Sequence, residues 1–201
     1  MQEEDTMADD LVKQFADDVV NEDLWLFTAQ QLLASAALLE PHIETKWSIH
    51  KNHMFKGGPE PIKDGLDAAN FQMVYLMLAA YAIENILKSF IVTVHKQDIH
   101  DKALLTRKLP DILKNHNLVE LGKHANSNTA MKEEELLRRL TLNAVWAGRY
   151  PMGTSAESLA STEKFSNGKH QYVVYWTSDD IVSVKTLINK LCLELKLDIS
   201  I

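Results

Sequence analysis

The chain has 201 residues, which corresponds to one or at most two domains and is enough to bury a hydrophobic core. Hydrophobic residues make up 46% and charged residues 24%, and only seven glycines and five prolines are present, so the composition disfavours a turn-rich all-β fold. The net charge of -7 disfavours a sequence-independent nucleic-acid clamp, which normally carries an excess of basic residues, but it leaves room for a local basic cleft.

The cysteine usage and the N-terminus predict a cytoplasmic protein. Cys192 is the single cysteine, so an internal disulfide is excluded. Residues 3–5, close to the N-terminus, are all acidic, which is the reverse of the basic start of a signal peptide. We expect Cys192 to be a small core residue of an amphipathic helix and not a nucleophile.

The N-terminal third of the chain predicts one core helix. Residues 1–22 form an acidic leading segment with a weak amphipathic stripe, typical of a frayed helix. Apolar residues then recur every three or four positions from Trp25 to Leu39, and Pro41 is expected to end or kink this helix near Glu40. The helical period is lost over residues 42–64, which we interpret as a long connection.

A second helix, predicted from about Asp64 to Val94, keeps one apolar face for roughly eight turns. A helix of that length is expected to be the spine of the fold. The apolar run from Phe71 to Ile83 is shorter than the about 20 residues that a membrane span needs, so no transmembrane segment is predicted.

The remaining residues predict shorter helices and one extended segment. Short helices are expected over 108–114 and 118–125, and a longer one follows the 126–129 loop and stops at Gly148. Residues 152–168 have the composition of an exposed loop, and residues 169–176 are strand-like. The last helix is expected to begin at Thr177 or Ser178.

Together these elements predict an all-α fold, an antiparallel bundle of about five helices with a short extended or β-like arm before the C-terminal helix. We expect an acidic leading segment over 1–22 and a helical bundle over 23–151. The third part, 152–201, contains the loop, the arm and the last helix, and packs on the same domain.

The sequence contains none of the common catalytic or phosphate-binding motifs, such as a Gly-rich phosphate loop, H-E-x-x-H or G-x-S-x-G. We therefore predict no cofactor and no metal.

One pair on the long helix has two possible interpretations. Glu84 and Lys88 have the favourable i, i+4 order, which suits either a surface ion pair or a functional pair.

Three short motifs follow one another in a set order. They are Glu84-x-x-x-Lys88 on the long helix, His116-Asn117-Leu118 at the start of a short helix and Arg149-Tyr150-Pro151 at the end of a later helix. In this order the sequence, from roughly Leu24 to Pro151, resembles the HEPN superfamily of compact helical bundles. The resemblance implies a homodimer with a polar cleft where the two bundles meet. It implies a ligand site formed by Glu84, Lys88, His116, Asn143, Arg149 and Tyr150.

The chain departs from the ribonucleases of that family, which have a histidine four to six residues after an arginine. No histidine occupies that window after Arg138, Arg139 or Arg149, so no catalytic residue is predicted. The first functional hypothesis is accordingly a dimeric module that binds nucleotide or RNA in a prokaryotic stress or defence system without cleaving it.

Two alternatives stay open. One is a divergent, metal-independent endoribonuclease in which His116 or His124 replaces the missing histidine. The other is a structural domain that binds a protein partner, in which the motifs only hold helix ends together. None of the three hypotheses involves a membrane.

Overall fold

The structure is a computed structural model that describes residues 2–56, 71–144, 163–164, 170–171 and 176–197. It is an all-α bundle, as predicted. Its helices are α1 (Gln2–Val19), α2 (Glu22–Ala37), α3 (Glu40–Lys56), α4 (Phe71–Val94), α5 (Lys96–Thr106), α6 (Asp111–Lys114), α7 (Leu118–His124), α8 (Met131–Leu142) and α9 (Asp180–Glu194).

The spine of the bundle is α4, whose 24 residues span about 36 Å. Its apolar residues are buried on nearly every side, and α2 packs along it through the fully buried Ala29 and Ala36. The two helices are antiparallel, since Glu22 at the start of α2 is 3.2 Å from Lys96 just beyond the end of α4.

By length and composition α4 could also cross a membrane, because its apolar character extends beyond Ile83 to Val94. However, 61% of the most apolar window is buried inside the bundle. Such burial is consistent with the core helix of a soluble protein.

The prediction of a long connection after Pro41 is wrong for residues 42–56, which belong to α3. Pro41 ends α2 as expected, but it is also the second residue of α3. In the first turn of a helix the missing N–H of proline has no intrahelical partner to lose, so proline is well tolerated there. Ile43 then anchors α3 in the core, and the Trp47 indole donates a hydrogen bond to Gln72 on α4.

Two helices in the first half of the chain differ from their predictions. The leading segment is a continuous helix, α1, which is attached to the bundle through the buried Ala16 and Val19. After Val94 the chain forms α5, which the sequence patterning did not predict because its buried side is only Ile99 and Ala103. The bundle is consequently divided into more helices than about five.

The two short helices, α6 and α7, are confirmed. Asn117 caps α7, since its side-chain oxygen accepts hydrogen bonds from the backbone N–H groups of Val119 and Glu120. The backbone N–H of Leu118 donates to the Thr141 hydroxyl, which joins the start of α7 to α8.

Near the C-terminus, α9 begins at Asp180, slightly later than predicted. The Asp180 carboxylate accepts a hydrogen bond from the backbone N–H of Thr177, which holds the turn that leads into the helix. The buried face of α9 joins the same core as α4. Before it, Glu163–Lys164 pairs antiparallel with His170–Gln171. The predicted stop at Gly148 and the arm residues 172–175 lie outside the described residues.

Candidate functional site

Glu84 and Lys88 form a buried ion pair on α4. The Lys88 Nζ atom is 2.6 Å from a Glu84 carboxylate oxygen, and the side chains are only 4% and 8% exposed, respectively. The interpretation of this pair as a solvated surface contact is therefore wrong. The flanking residues Ile83 and Leu87 are fully buried, so this part of α4 faces the interior.

His116 connects the buried pair to the surface. It lies just before α7, and its Nδ1 atom is 3.0 Å from both carboxylate oxygens of Glu84. Its side chain is 57% exposed. The Asn117 cap holds the following backbone, and the Asn115 side chain accepts a hydrogen bond from the Asn117 N–H. His116 thus bonds to the carboxylate of Glu84.

Trp25 of α2 completes this group, which we call the Glu84 cluster (Glu84, Lys88, His116 and Trp25). The Lys88 ammonium lies 5.7 Å from the centroid of the Trp25 ring, within the range of a cation–π interaction. The indole N–H of Trp25 donates to the Val19 carbonyl, which fixes the ring. In the sequence Trp25 has only the signature of a core residue, and no local pattern relates it to Lys88.

The hydrogen bonds of the Glu84 cluster determine how His116 faces the solvent. Because an ionised carboxylate only accepts hydrogen bonds, the Nδ1 atom of His116 is the donor to Glu84. The Nε2 atom is then left for an external group, as an acceptor in the neutral ring and as a donor in the imidazolium. A carboxylate that orients a histidine in this way is typical of histidines that bind ligands or transfer protons.

Asn143 lies apart from the Glu84 cluster. It is fully buried directly after α8, and its side-chain amide donates to the carbonyl of Met73. Met73 and Glu84 are eleven positions apart on α4, which corresponds to about 16 Å along the helix axis. The structure therefore brings together Glu84, Lys88 and His116 and places Asn143 elsewhere, while Arg149 and Tyr150 lie outside the described residues.

A second polar group near Asn143 was not predicted. Arg139 of α8 is 3.0 Å from the Asp180 carboxylate of α9, and its guanidinium lies 4.7 Å from the centroid of the Trp176 ring. The Asn143 side-chain oxygen and the Trp176 indole nitrogen are both buried and have no hydrogen-bond partner within the described part of the chain. This group joins α8 to α9, and its members are too distant in sequence to form a motif.

The Glu84 cluster does not line any of three grooves on the described surface. One of about 970 Å³ lies between α8 and α9, one of about 760 Å³ is formed by α5, α6 and α7, and one of about 420 Å³ lies beside α3. His124, the other histidine proposed from the sequence, lines the second groove.

No group of three His, Cys, Asp or Glu side chains that could hold a metal occurs among the described residues. The expectation that Cys192 is a core residue is confirmed, because it is buried on α9. Burial also raises the pKa of its thiol, which keeps it protonated and unreactive at neutral pH.

Comparison of the chain with protein-family models, with curated proteins and with solved structures found no match.

Proposed function

We propose that the protein is a dimeric helical module that binds the phosphate of a nucleotide or of RNA at His116 and does not cleave it. The observation that carries this proposal is the hydrogen bonding of the half-exposed His116 to the buried Glu84–Lys88 pair. The HEPN-like motif order supports the same assignment and suggests a prokaryotic stress or defence system.

The burial of Glu84 and Lys88 favours a functional role for the pair. An ion pair in a protein interior is poor evidence for stability, since apolar side chains of the same volume often stabilise the fold as well or better. The Glu84 carboxylate accepts a hydrogen bond from His116 Nδ1 and so orients the ring, which an apolar residue at this position could not do.

The outer face of α2 supports the dimer. No charged residue occurs from Leu24 to Leu39, and Leu24, Phe27 and Leu38 are 46%, 60% and 75% exposed. With Gln31 and Ala34 these residues follow the alternating three and four spacing of a coiled-coil seam. An uncharged, self-complementary seam suits a second copy of the same chain related by a two-fold axis.

The geometry of the Glu84 cluster also favours the second candidate function, a divergent endoribonuclease. The Glu84–His116 hydrogen bond is the arrangement that a general base needs. In that function His116 Nε2 would take the proton of the 2′-hydroxyl as its oxygen bonds to phosphorus. The bond from phosphorus to the 5′-oxygen would break, that oxygen would leave with a proton from water, and no metal would be required.

Ligand binding is expected to depend on His116 and on Arg149. We expect His116→Ala and Arg149→Ala each to weaken the binding of a nucleotide or of single-stranded RNA at least about tenfold. Each substitution removes a side chain that donates a hydrogen bond to phosphate. Fluorescence anisotropy measures the binding. His50→Ala, which removes an exposed histidine of α3, is the control.

An RNA degradation assay on the same proteins separates the three functions. The wild type is expected to leave RNA intact. Cleavage by the wild type that is lost in His116→Ala would establish the endoribonuclease. Binding that is unchanged in both His116→Ala and Arg149→Ala would leave only the structural, protein-binding function.

The seam on α2 predicts which substitution abolishes the dimer. Phe27→Glu is expected to convert the dimer to a monomer at micromolar concentration, because it buries a charge in an apolar interface. Leu105→Glu introduces the same charge at an 86% exposed leucine of α5 and is expected to leave the dimer intact. Sedimentation velocity measures both. A wild-type monomer, or equal dissociation of the two variants, would contradict the assignment.

A further inference from the structure

The negative charge of the protein is concentrated in its first 23 residues. They contain nine acidic residues and one basic residue, Lys13, whereas the rest of the chain contains nineteen acidic and twenty basic residues. The N-terminal segment thus has a net charge of -8, and the rest of the chain has a net charge of +1. Because α1 occupies most of this segment, it is a strongly acidic helix on an otherwise nearly neutral protein.

One side of α1 attaches the helix to the bundle. Ala16 and Val19 are buried there. Acidic side chains of the N-terminal segment also pair with basic side chains in or next to α5, and these pairs are Asp9–Arg107 at 3.6 Å, Asp17–His100 at 3.1 Å and Glu22–Lys96 at 3.2 Å. The segment therefore already contacts basic side chains wherever the fold places them beside it.

A second side of α1 is apolar, acidic and exposed. Leu11 and Phe15 are 58% and 37% exposed, and together with Asp18 they fall within about 60° of one another around the helix axis. Asp10 and Asp18 are exposed and have no ion pair within the described part of the chain. Lys13 lies on the opposite side of the helix from Leu11. We call Asp10, Leu11, Phe15 and Asp18 the α1 face.

We infer that the α1 face binds a basic amphipathic helix of another protein. The apolar side of such a helix would cover Leu11 and Phe15, as in other complexes in which an amphipathic helix docks through its apolar residues. Lysine or arginine residues at the edges of that apolar side would pair with Asp10 and Asp18, which the fold leaves without a cation.

The charge of the α1 face disfavours the other classes of occupant. A second copy of the chain would bring the same acidic helix against it, and like charges across an interface repel. Nucleic acids and anionic membrane surfaces carry the same sign of charge as the α1 face. A basic amphipathic helix is complementary to this face in both its charge and its apolar side chains.

This inference goes beyond the proposed function, because the α1 face shares no residue with the Glu84 cluster or with the seam on α2. The two proposals can fail separately. Loss of nucleotide binding in His116→Ala bears on the Glu84 cluster alone, and the variants below bear on the α1 face alone.

The probe is a synthetic helical peptide of leucine and lysine whose leucines recur every three or four residues and form one apolar side. A peptide of the same composition with its leucines scrambled is the control probe. Fluorescence anisotropy of the labelled peptides measures their binding to the full-length protein. We expect the patterned peptide to bind at least about tenfold more tightly, because only its leucines and lysines can contact the α1 face together.

A first pair of variants tests the apolar part of the α1 face. Leu11→Ala with Phe15→Ala removes it and places a strong helix former at both positions. The control is Val182→Ala with Leu193→Ala, which truncates two side chains of α9 that are 64% and 80% exposed. We expect the first variant to bind the patterned peptide about tenfold more weakly than the wild type and the control to bind it equally well. Circular dichroism verifies that both remain helical.

A second pair of variants tests the carboxylates and leaves the apolar side chains intact. Asp10→Asn with Asp18→Asn removes two negative charges from the α1 face. Glu44→Gln with Asp179→Asn removes the same net charge from exposed residues of α3 and of the position before α9. We expect the first variant to bind the patterned peptide about fivefold more weakly at low salt, with a smaller salt dependence, and the control to bind like the wild type.

Three kinds of result would overturn the inference. Absent binding of the patterned peptide, or equal binding of the scrambled one, would mean that the α1 face does not recognise an amphipathic helix. Unchanged binding in Leu11→Ala with Phe15→Ala, or equal losses in the two charge variants, would place the peptide elsewhere. A change in the sedimentation of the protein alone in Leu11→Ala with Phe15→Ala would assign the α1 face to a second copy of the chain.

Discussion

Lys88→Ala is expected to lower the free energy of unfolding by about 3–5 kcal/mol, because it leaves the Glu84 carboxylate buried without its cation. The Glu84 side chain is only 8% exposed, so water cannot replace the lost ammonium. His116 is its remaining partner, and it lies at the surface edge of the cluster. Urea denaturation followed by circular dichroism measures the change.

The chain contains a matched control for this substitution. Asp98 and Lys102 on α5 have the same i, i+4 spacing and an Nζ–Oδ2 distance of 2.7 Å, but their side chains are 64% and 59% exposed. Lys102→Ala is expected to change the free energy of unfolding by less than about 0.5 kcal/mol. A similar loss of stability in Lys88→Ala and Lys102→Ala would contradict the buried position of the Glu84 cluster.

A double replacement separates stability from function in the same cluster. Glu84→Leu with Lys88→Met substitutes apolar side chains of similar volume for both charges, and we expect it to recover most of the stability that Lys88→Ala loses. The double variant no longer holds His116 at Nδ1. It is therefore expected to be folded but to bind nucleotide or RNA as weakly as His116→Ala.

The sequence predicted the spine of the fold and the shared face of Glu84 and Lys88, but it did not predict their burial. The spacing of four places two side chains on one side of a helix whatever surrounds it. Burial depends on which helices pack there, and Trp25 and His116 come from distant parts of the chain. The local signal was the density of apolar residues around Glu84, since a charge between Ile83 and Leu87 has little solvent-facing surface to occupy.

The elements that the sequence analysis missed have specific physical reasons. Pro41 ends one helix and begins the next, and a proline gives the same local signal for a loop and for a first helical turn. α5 buries only Ile99 and Ala103, so its apolar period is too weak to identify. Asn143 was assigned to the ligand site from motif order, which carries no information about the distance between the two ends of α4.

Leu87→Ala tests whether α4 is the core helix of the bundle. Leu87 is fully buried, and its truncation is expected to lower the free energy of unfolding by about 2–5 kcal/mol through lost apolar burial and the cavity left behind. Leu105→Ala, at the 86% exposed position of α5, is expected to change it by less than about 0.5 kcal/mol.

The measurement is urea denaturation of both variants in detergent-free buffer. We expect the slope of the free energy of unfolding against urea concentration to be the same as in the wild type. Cooperative unfolding without detergent, together with a large loss of stability in Leu87→Ala alone, would show that the apolar residues of α4 pack against other helices of the protein. Equal effects at Leu87 and Leu105, or a protein that needs detergent to remain in solution, would contradict this packing. The apolar residues around α4 would then face lipid, and Glu84 and Lys88 would have to be paired inside the membrane.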